Sequence, residues 1–321
     1  MNNILNEIKN EKLVAIGGHV RPDGDCVGSC MALYHYLKRN MEPDVRIDVF
    51  LENVPSRFAI VPDTDIIRQK SVDIIDCEKP MIYDVFISLD CGGLDRLGEA
   101  IPYFNGAKRK INIDHHISNP HFGDINHVIT DASSTCEVLF DLFEEDRIDM
   151  VVAKALYLGI IHDTGVFKHP NTTEKTMNIA GKLINKGIPF STMIDDTFYL
   201  KNYNQNKILG HALTKSTLLE EGKVIISYLT KAEMKEYGVE FSDLDGIIDQ
   251  LRITEGVLVA VFIYETDADF KVSMRSNCDA DVRKIAEEYQ GGGHTKAAGC
   301  SIKGDIHWII KEIVGKIAEQ L

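Results

Sequence analysis

The chain has 321 residues, 44% of them hydrophobic and 26% charged, which is ordinary globular composition and enough for about two domains. Its formal net charge of −14 makes it a poor candidate for tracking long nucleic acid by counterion release. No apolar run reaches the roughly 18 residues of a membrane-spanning helix, and the N-terminus lacks the basic and apolar regions of a signal peptide. The seven cysteines are odd in number and scattered without a CxxC pair, which points to reduced thiols and a cytoplasmic location.

The first half alternates strand-like and helix-like segments, as βαβ units do. Leu13 to Ile16 leads into His19 and the Pro22-Asp23-Gly24-Asp25 turn. Pro22 fixes φ and Gly24 permits a tight bend, so a short loop can aim His19, Asp23 and Asp25 at one point. The same Asp-Gly-Asp could simply cap the next helix, predicted over Val27 to Arg39. Val45 to Leu51 alternates like a strand. Val85 to Leu89 ends at Asp90, which alone reads equally as a turn former before Gly92-Gly93. Lys110 to Asp114 closes on Asp114-His115-His116, and a histidine pair at the end of an apolar strand rarely serves packing.

Ser133-Ser134-Thr135 opens a helix through Phe143, with Glu137 as a capping-box partner of Ser134. Another apolar run, Ala155 to Ile161 within a helix over about Val151 to Ile161, is tipped by His162-Asp163-Thr164-Gly165. A helix over about Glu174 to Asn185 stops at Lys186-Gly187-Ile188-Pro189. Residues 1–187 therefore form a first domain, 188–206 a linker and 207–321 a second domain. The second reads as helix (Asn204 to Leu218), strand (Lys223 to Leu229), helix (Lys231 to Tyr237) and strands at Gly256 to Tyr264 and Phe270 to Arg275. A helix over Ala280 to Tyr289, the run Gly291-Gly292-Gly293-His294 and a terminal helix from Ile306 complete it.

Four apolar runs tipped with carboxylate or imidazole indicate a metal site. Carboxylates and imidazoles without paired thiolates suit Mn²⁺, Mg²⁺, Fe²⁺ or Zn²⁺, and Cys26 and Cys91 read as small buried residues. Two histidines and four carboxylates exceed the needs of one ion, so a pair of ions roughly 3.5–4 Å apart, bridged by carboxylate, is expected. Such a pair suits in-line hydrolysis at phosphorus. The three glycines read either as a flexible turn or, with His294 and the Arg275-Ser276-Asn277 strand end, as a clamp for a substrate phosphate.

Together these residues resemble the DHH phosphoesterases of the two-domain DHH–DHHA1 type, in their bifunctional oligoribonuclease and PAP (3′-phosphoadenosine 5′-phosphate) phosphatase branch, over nearly the whole chain. The motifs are His19-x-x-Pro-Asp-Gly-Asp25, then Leu89-Asp90-Cys91 with Arg96-Leu97-Gly98. Next comes Asp114-His115-His116 continuing through Asn119 to Ser134-Thr135, and then Gly159 through Gly165 with Phe167. Gly291-Gly292-Gly293-His294 with Ala297-Ala298-Gly299 matches the DHHA1 signature. Departures are small: Gln290 replaces a glycine, and His162 and Lys168 stand where Thr and Arg are common.

The resemblance implies an α/β fold, with a mainly parallel N-terminal sheet flanked by helices, a smaller α/β domain and a cleft between them. It implies two Mn²⁺, with Mg²⁺ or other divalent ions as alternatives. His19, Asp23, Asp90 and Asp163 would surround one ion, and Asp25, Asp90, His115 and Asp163 the other. Asp114 would orient an imidazole, and His116 would sit beside the scissile phosphate. Arg275, Ser276, His294 and Gly291 to Gly293 would hold the far phosphate. The expected substrates are RNA oligonucleotides of two to five nucleotides, including pApA and pGpG, and PAP, with no long duplex or membrane partner. A homodimer is one assembly considered. The alternatives are a cyclic-dinucleotide phosphodiesterase and, in a different class, a nucleotide-binding sensor without turnover.

Overall fold

The structure, a computed structural model, describes residues 3–68 and 81–321. The chain divides into two units, the first ending at Leu200 and the second starting at Lys201. The break falls inside the stretch 188–206, most of which is helical.

Among the described residues the first unit has a five-stranded sheet of β1 (Leu13–Gly17), β2 (Arg46–Phe50), β3 (Val85–Leu89), β4 (Arg109–Asp114) and β5 (Ile125–Val128). The order is β2-β1-β3-β4-β5 and every neighbour is parallel. Its helices are α1 (Ile4–Ile8), α2 (Gly24–Asn40), α3 (Ile101–Gly106), α4 (Thr135–Leu142), α5 (Met150–Asp163), α6 (Glu174–Ile184) and α7 (Phe190–Ile194). Alternation along the strands sends Val14, Ile16, Ile87 and Leu89 into the core shared with α2, α4 and α5. Ala15 and Phe86 go to the opposite face with Tyr103 and Phe104 of α3. Burial on both faces explains why these strands read as apolar runs.

In a doubly wound sheet of this order, the connections leave in opposite directions between β1 and β3. That switch opens a crevice at the carboxyl ends of the strands. His19 follows β1 and Asp90 follows β3, so the topology alone carries both to the crevice.

Helix α5 is the helix expected over about Val151 to Ile161. It packs against α2 and is buried nearly all round, which erases the helical periodicity of its sequence. Ser134 caps α4 by accepting from the Glu137 backbone at 3.1 Å. The expected reciprocal bond is not made, because the buried Glu137 carboxylate instead accepts from Ser133 Oγ at 2.6 Å and Thr176 Oγ1 at 2.8 Å. That exchange ties α4 to α6.

The second unit has α8 (Tyr203–Thr214), α9 (Lys231–Tyr237), α10 (Ile247–Arg252), α11 (Val282–Glu288) and α12 (Ile306–Ala318). Its strands are β6 (Thr217–Leu219), β7 (Val224–Leu229), β8 (Val259–Glu265), β9 (Phe270–Ser276), β10 (Gly292–His294) and β11 (Ala297–Ile302). They form a sheet in the order β10-β11-β9-β8-β7-β6, in which β7 and β8 are parallel and the other neighbours antiparallel. The helix expected to reach Leu218 stops at Thr214, because Thr217–Leu219 pairs with β7 as an edge strand. Helices α11 and α12 cover one face of the sheet, while α8, α9 and α10 cover the other over β7 and β8.

Candidate metal centre

Asp23 caps α2 by accepting from the backbone N–H groups of Asp25 and Cys26, both at 3.0 Å. Capping and ligation are therefore compatible readings of one turn: the cap fixes the carboxylate while one oxygen stays free. Gly24 is required for a steric reason, since a Cβ there would lie 2.2 Å from the ring of His162. His162 itself is wedged between Phe58 and Phe198, with Nε2 3.1 Å from Thr197 Oγ1. Burial and the nearby Arg57 push its imidazole down to about 4, so it is a neutral packing residue behind the turn.

Asp25 is fully buried, and its carboxylate accepts from the first backbone N–H groups of α4, Thr135 at 2.6 Å and Cys136 at 3.0 Å. An anion at a helix N-terminus is favourably placed against the helix dipole. Asp90 sits just past β3 at φ +57, a left-handed conformation that Asp tolerates better than most residues. Its Oδ1 accepts from Thr135 Oγ1 at 3.1 Å. Strain at a residue overdetermined by its neighbours is common where a side chain must be aimed.

The six expected ligands converge. His19 Nε2 lies 3.7 Å from Asp23 Oδ1 and 3.4 Å from Asp90 Oδ2. His115 Nε2 lies 3.7 Å from Asp90 Oδ1 and 3.0 Å from Asp163 Oδ2. One donor atom each from Asp25, His115 and Asp163 lies within 4.8 Å of the other two, and the same holds for Asp90, His115 and His116 and for His19, Cys26 and Asp90. Besides packing in the core, the Cys26 sulfur lies beside His19.

Asp114 is fully buried at the end of β4. It accepts from His116 Nδ1 at 2.7 Å, from Asn119 Nδ2 at 2.6 Å and from the backbone of His115 at 2.8 Å. Burial alone would raise this carboxyl, but the bonds from His116 and Asn119 hold it below the usual range. In return, the bond to Asp114 raises the His116 imidazole. Asn119 is a site residue whose role the sequence did not reveal. Its side chain also bonds Asn112 and the Cys91 carbonyl, which locks the loop carrying the two histidines.

The donor set fits hard divalent cations. Burial and the carboxylates of Asp90 and Asp163 raise Asp25 far above the ordinary carboxyl range, and burial with Asp90 also raises Asp163. Burial alone would lower His115, but Asp163 and Asp25 outweigh it and hold the imidazole up at about 10. Like-charge crowding of this kind is what a bound cation relieves. For the metal-free protein the proton takes that part. A raised histidine contributes stability that is complete below about pH 6.5 and lost as pH climbs toward the folded value. Raised carboxyls act in the same direction from about pH 4 upward. In EDTA, the melting temperature should therefore fall between pH 6.5 and 10, where His115 titrates at about 10, and saturating Mn²⁺ should reduce that fall. Calorimetry showing a flat or rising profile in EDTA would contradict this electrostatic picture.

In the second unit, Arg275 on β9 pairs across Ala297 of β11 with His294 of β10. Directly paired residues share a sheet face, so the two side chains stand about 10 Å apart on the same side. This is the face that α8, α9 and α10 leave open beyond β8. Arg275 Nε lies 3.5 Å from Asp249 Oδ1. Alternation turns Ser276 to the other face, where its hydroxyl donates to the Cys278 carbonyl at 2.9 Å, so it is not brought to Arg275 and His294. The glycine run forms a hairpin with β11 rather than a flexible turn. Cβ atoms would approach the Gly299 carbonyl to 2.3 Å at Gly291 and the Ala297 carbonyl to 2.4 Å at Gly293. A Cβ at Gly292 would meet nothing, so packing does not demand glycine there.

Comparison with known proteins agrees with this geometry. Residues 13–160 match the DHH family N-terminal domain and residues 221–319 match the DHHA1 domain. The chain is 32% identical to the bifunctional oligoribonuclease and PAP phosphatase NrnA of Bacillus subtilis (strain 168), covering 88% of this chain and 87% of that one. It is 27% identical to the enzyme of the same name from Thermus thermophilus, covering 96% and 90%. The crystal structure of an exopolyphosphatase-related protein from Bacteroides fragilis superposes with a TM-score of 0.87 at 24% identity, covering 98% and 94%, which shows the shared fold. Among the described residues no helix is long and apolar enough to cross a membrane. Motifs, fold and relatives thus agree that the chain belongs to the DHH–DHHA1 phosphoesterase family and is a phosphoric ester hydrolase related to the NrnA-type bifunctional enzymes.

Proposed function

We propose that this chain hydrolyses very short RNA oligonucleotides to mononucleotides and also converts 3′-phosphoadenosine 5′-phosphate to AMP, with two Mn²⁺ ions as cofactor. The observation that carries this reading is the convergence of Asp25, Asp90, His115 and Asp163 at the carboxyl ends of the sheet, in a chain with NrnA relatives over most of its length. His19, Asp23, Asp90 and Asp163 would hold one ion, and Asp25, Asp90, His115 and Asp163 the other. Bound divalent ions supply Lewis-acid charge at phosphorus and lower the pKa of the attacking water.

The remaining work belongs to the chain. Asp114 binds His116 through Nδ1, which leaves Nε2 free and the ring half-exposed at the mouth of the cluster. In the reaction a water oxygen forms the new bond to phosphorus, the P–O ester bond breaks, and His116 passes a proton to the departing ribose oxygen. In the second unit, Arg275 and His294, with the open backbone at Gly292, would bind a substrate phosphate. Ser276 braces the chain after β9. The net negative charge suits a small substrate gripped at few points rather than a long strand. A linear dinucleotide such as pApA or pGpG is a close variant of the same substrate class.

The test is a steady-state comparison in Mn²⁺ across di- to pentanucleotides, PAP and cyclic di-AMP. Fast cleavage of long strands beside slow cleavage of dinucleotides would defeat the proposal. In the same assay Arg275→Ala should mainly raise KM, whereas Asp163→Ala should mainly abolish kcat. The reverse pattern would refute the division of labour between the two units.

A further inference from the structure

Beside the metal cluster lies a cavity of about 400 Å³, lined by His19, Asp23, Asp90 and His116 from the cluster and by Arg96 and Ser118. Arg96 is the one lysine or arginine in that lining, and the mechanism above does not use it. It belongs to the Arg96-Leu97-Gly98 motif, whose backbone is held on three sides. The Arg96 carbonyl accepts from the Val20 N–H at 2.8 Å, one residue past His19. Leu97 is buried in the core with Phe86. Gly98 has φ +54, and a Cβ there would come within 2.2 Å of Glu52 Oε1, an oxygen that accepts from the Glu99 N–H at 2.8 Å.

So much anchoring around a free end suggests that the free end has a use. Among the described residues the guanidinium makes no hydrogen bond or ion pair, although Asp23, Asp90 and Asp95 share the cavity. Gly92, also in the lining, leaves room there, since a Cβ would stand 3.1 Å from Ser118 Oγ and 3.4 Å from the His116 side chain. A fork of guanidinium donors with a hydroxyl nearby matches a phosphate. The volume lies toward the small end of the roughly 300–1,000 Å³ typical of ligand sites, room for one nucleotide and not for a strand.

We infer that this cavity seats the single nucleotide released at each cleavage and that Arg96 grips its phosphate, making Arg96 a specificity-determining residue. The inference rests on the phosphoesterase reading above and adds to it the place where the mononucleotide sits. Direct titration of AMP into the Mn²⁺-loaded enzyme tests it without turnover. Arg96→Ala should weaken AMP binding about tenfold and raise KM for a dinucleotide by a similar factor, with kcat changed less than about twofold. Arg96→Lys should recover only part of the loss, because an ammonium cannot present the paired donors of the fork. An unchanged melting temperature would show that the exposed side chain serves the ligand and not the fold. Equal AMP affinity in Arg96→Ala and wild type, no AMP binding by the wild type, or a fall in kcat at unchanged KM would each overturn the assignment. Failure of the wild type to hydrolyse any of the substrates would instead remove the functional reading, while the AMP titration would still decide the cavity.

Discussion

Asp90→Asn is expected to lower turnover by more than about 100-fold, beyond the 10- to 100-fold typical of losing a residue that merely orients a metal ligand. Asp90 is the common member of the cluster: its two oxygens face His19 at 3.4 Å and His115 at 3.7 Å, so under the proposed two-ion reading both ions would depend on it. Asparagine is the informative replacement, because it tolerates the left-handed backbone at φ +57 and nearly preserves side-chain size. The Thr135 hydroxyl can still donate to the amide oxygen. What is lost is the negative charge. Calorimetric titration with Mn²⁺ should show weakened uptake while the circular dichroism spectrum is unchanged. Retained activity with normal uptake of two ions would rule out Asp90 as the bridging ligand.

Gly159→Ala should cost about 1–3 kcal/mol of stability, the usual range for overpacking a tight core. Helices α2 and α5 approach closely where Gly28 and Gly159 face each other. A Cβ on Gly28 would come 2.6 Å from the Ala155 carbonyl and 2.9 Å from the Gly159 nitrogen. A Cβ on Gly159 would come 2.3 Å from both Asp25 Oδ1 and Cys136 Sγ. Neither atom can step aside, since Asp25 is pinned by two N–H groups of α4 and Cys136 is fully buried. The added methyl must therefore part the helices or displace the carboxylate. Mn²⁺ affinity should fall along with the melting temperature. Full retention of both would mean that the helices do not touch as described.

His115→Ala offers a useful contrast with these two. It removes an expected ligand without forcing an atom between packed helices, and its loss should be read in metal uptake and turnover, not chiefly in stability. The imidazole bonds the Asp163 carboxylate at 3.0 Å and sits 3.3 Å from the Ala132 carbonyl, so its removal also loosens the loop before α4.

Much of the molecule could be read from the order of residues. A carboxylate or imidazole closing each of several apolar runs is costly for a core and therefore meaningful, and the residues it singled out lie close together in the structure. Apolar runs placed β1, β3 and β4, alternation placed β2, and helical spacing placed α2. Other features carried no such local signal. The short strands β6 and β10 exist only because a neighbour supplies hydrogen-bond partners. Glu137 looked like a capping-box partner, yet Thr176, distant in sequence, claimed its carboxylate.

The chain's sequence by itself determined which chemistry is available: hard oxygen and imidazole donors, a family of phosphoesterases, and a fold of two α/β units. Only the tertiary structure decided how those donors share space. Asp25 meets α4, Asp90 spans two histidines, Arg275 and His294 share a sheet face that Ser276 leaves, and Arg96 lines the cavity beside the cluster. The reason is physical. Residue type and local spacing fix what a side chain can bond, whereas the partner it finds is set by packing between segments far apart in the chain, where sterics and exclusion of water leave each polar group few choices.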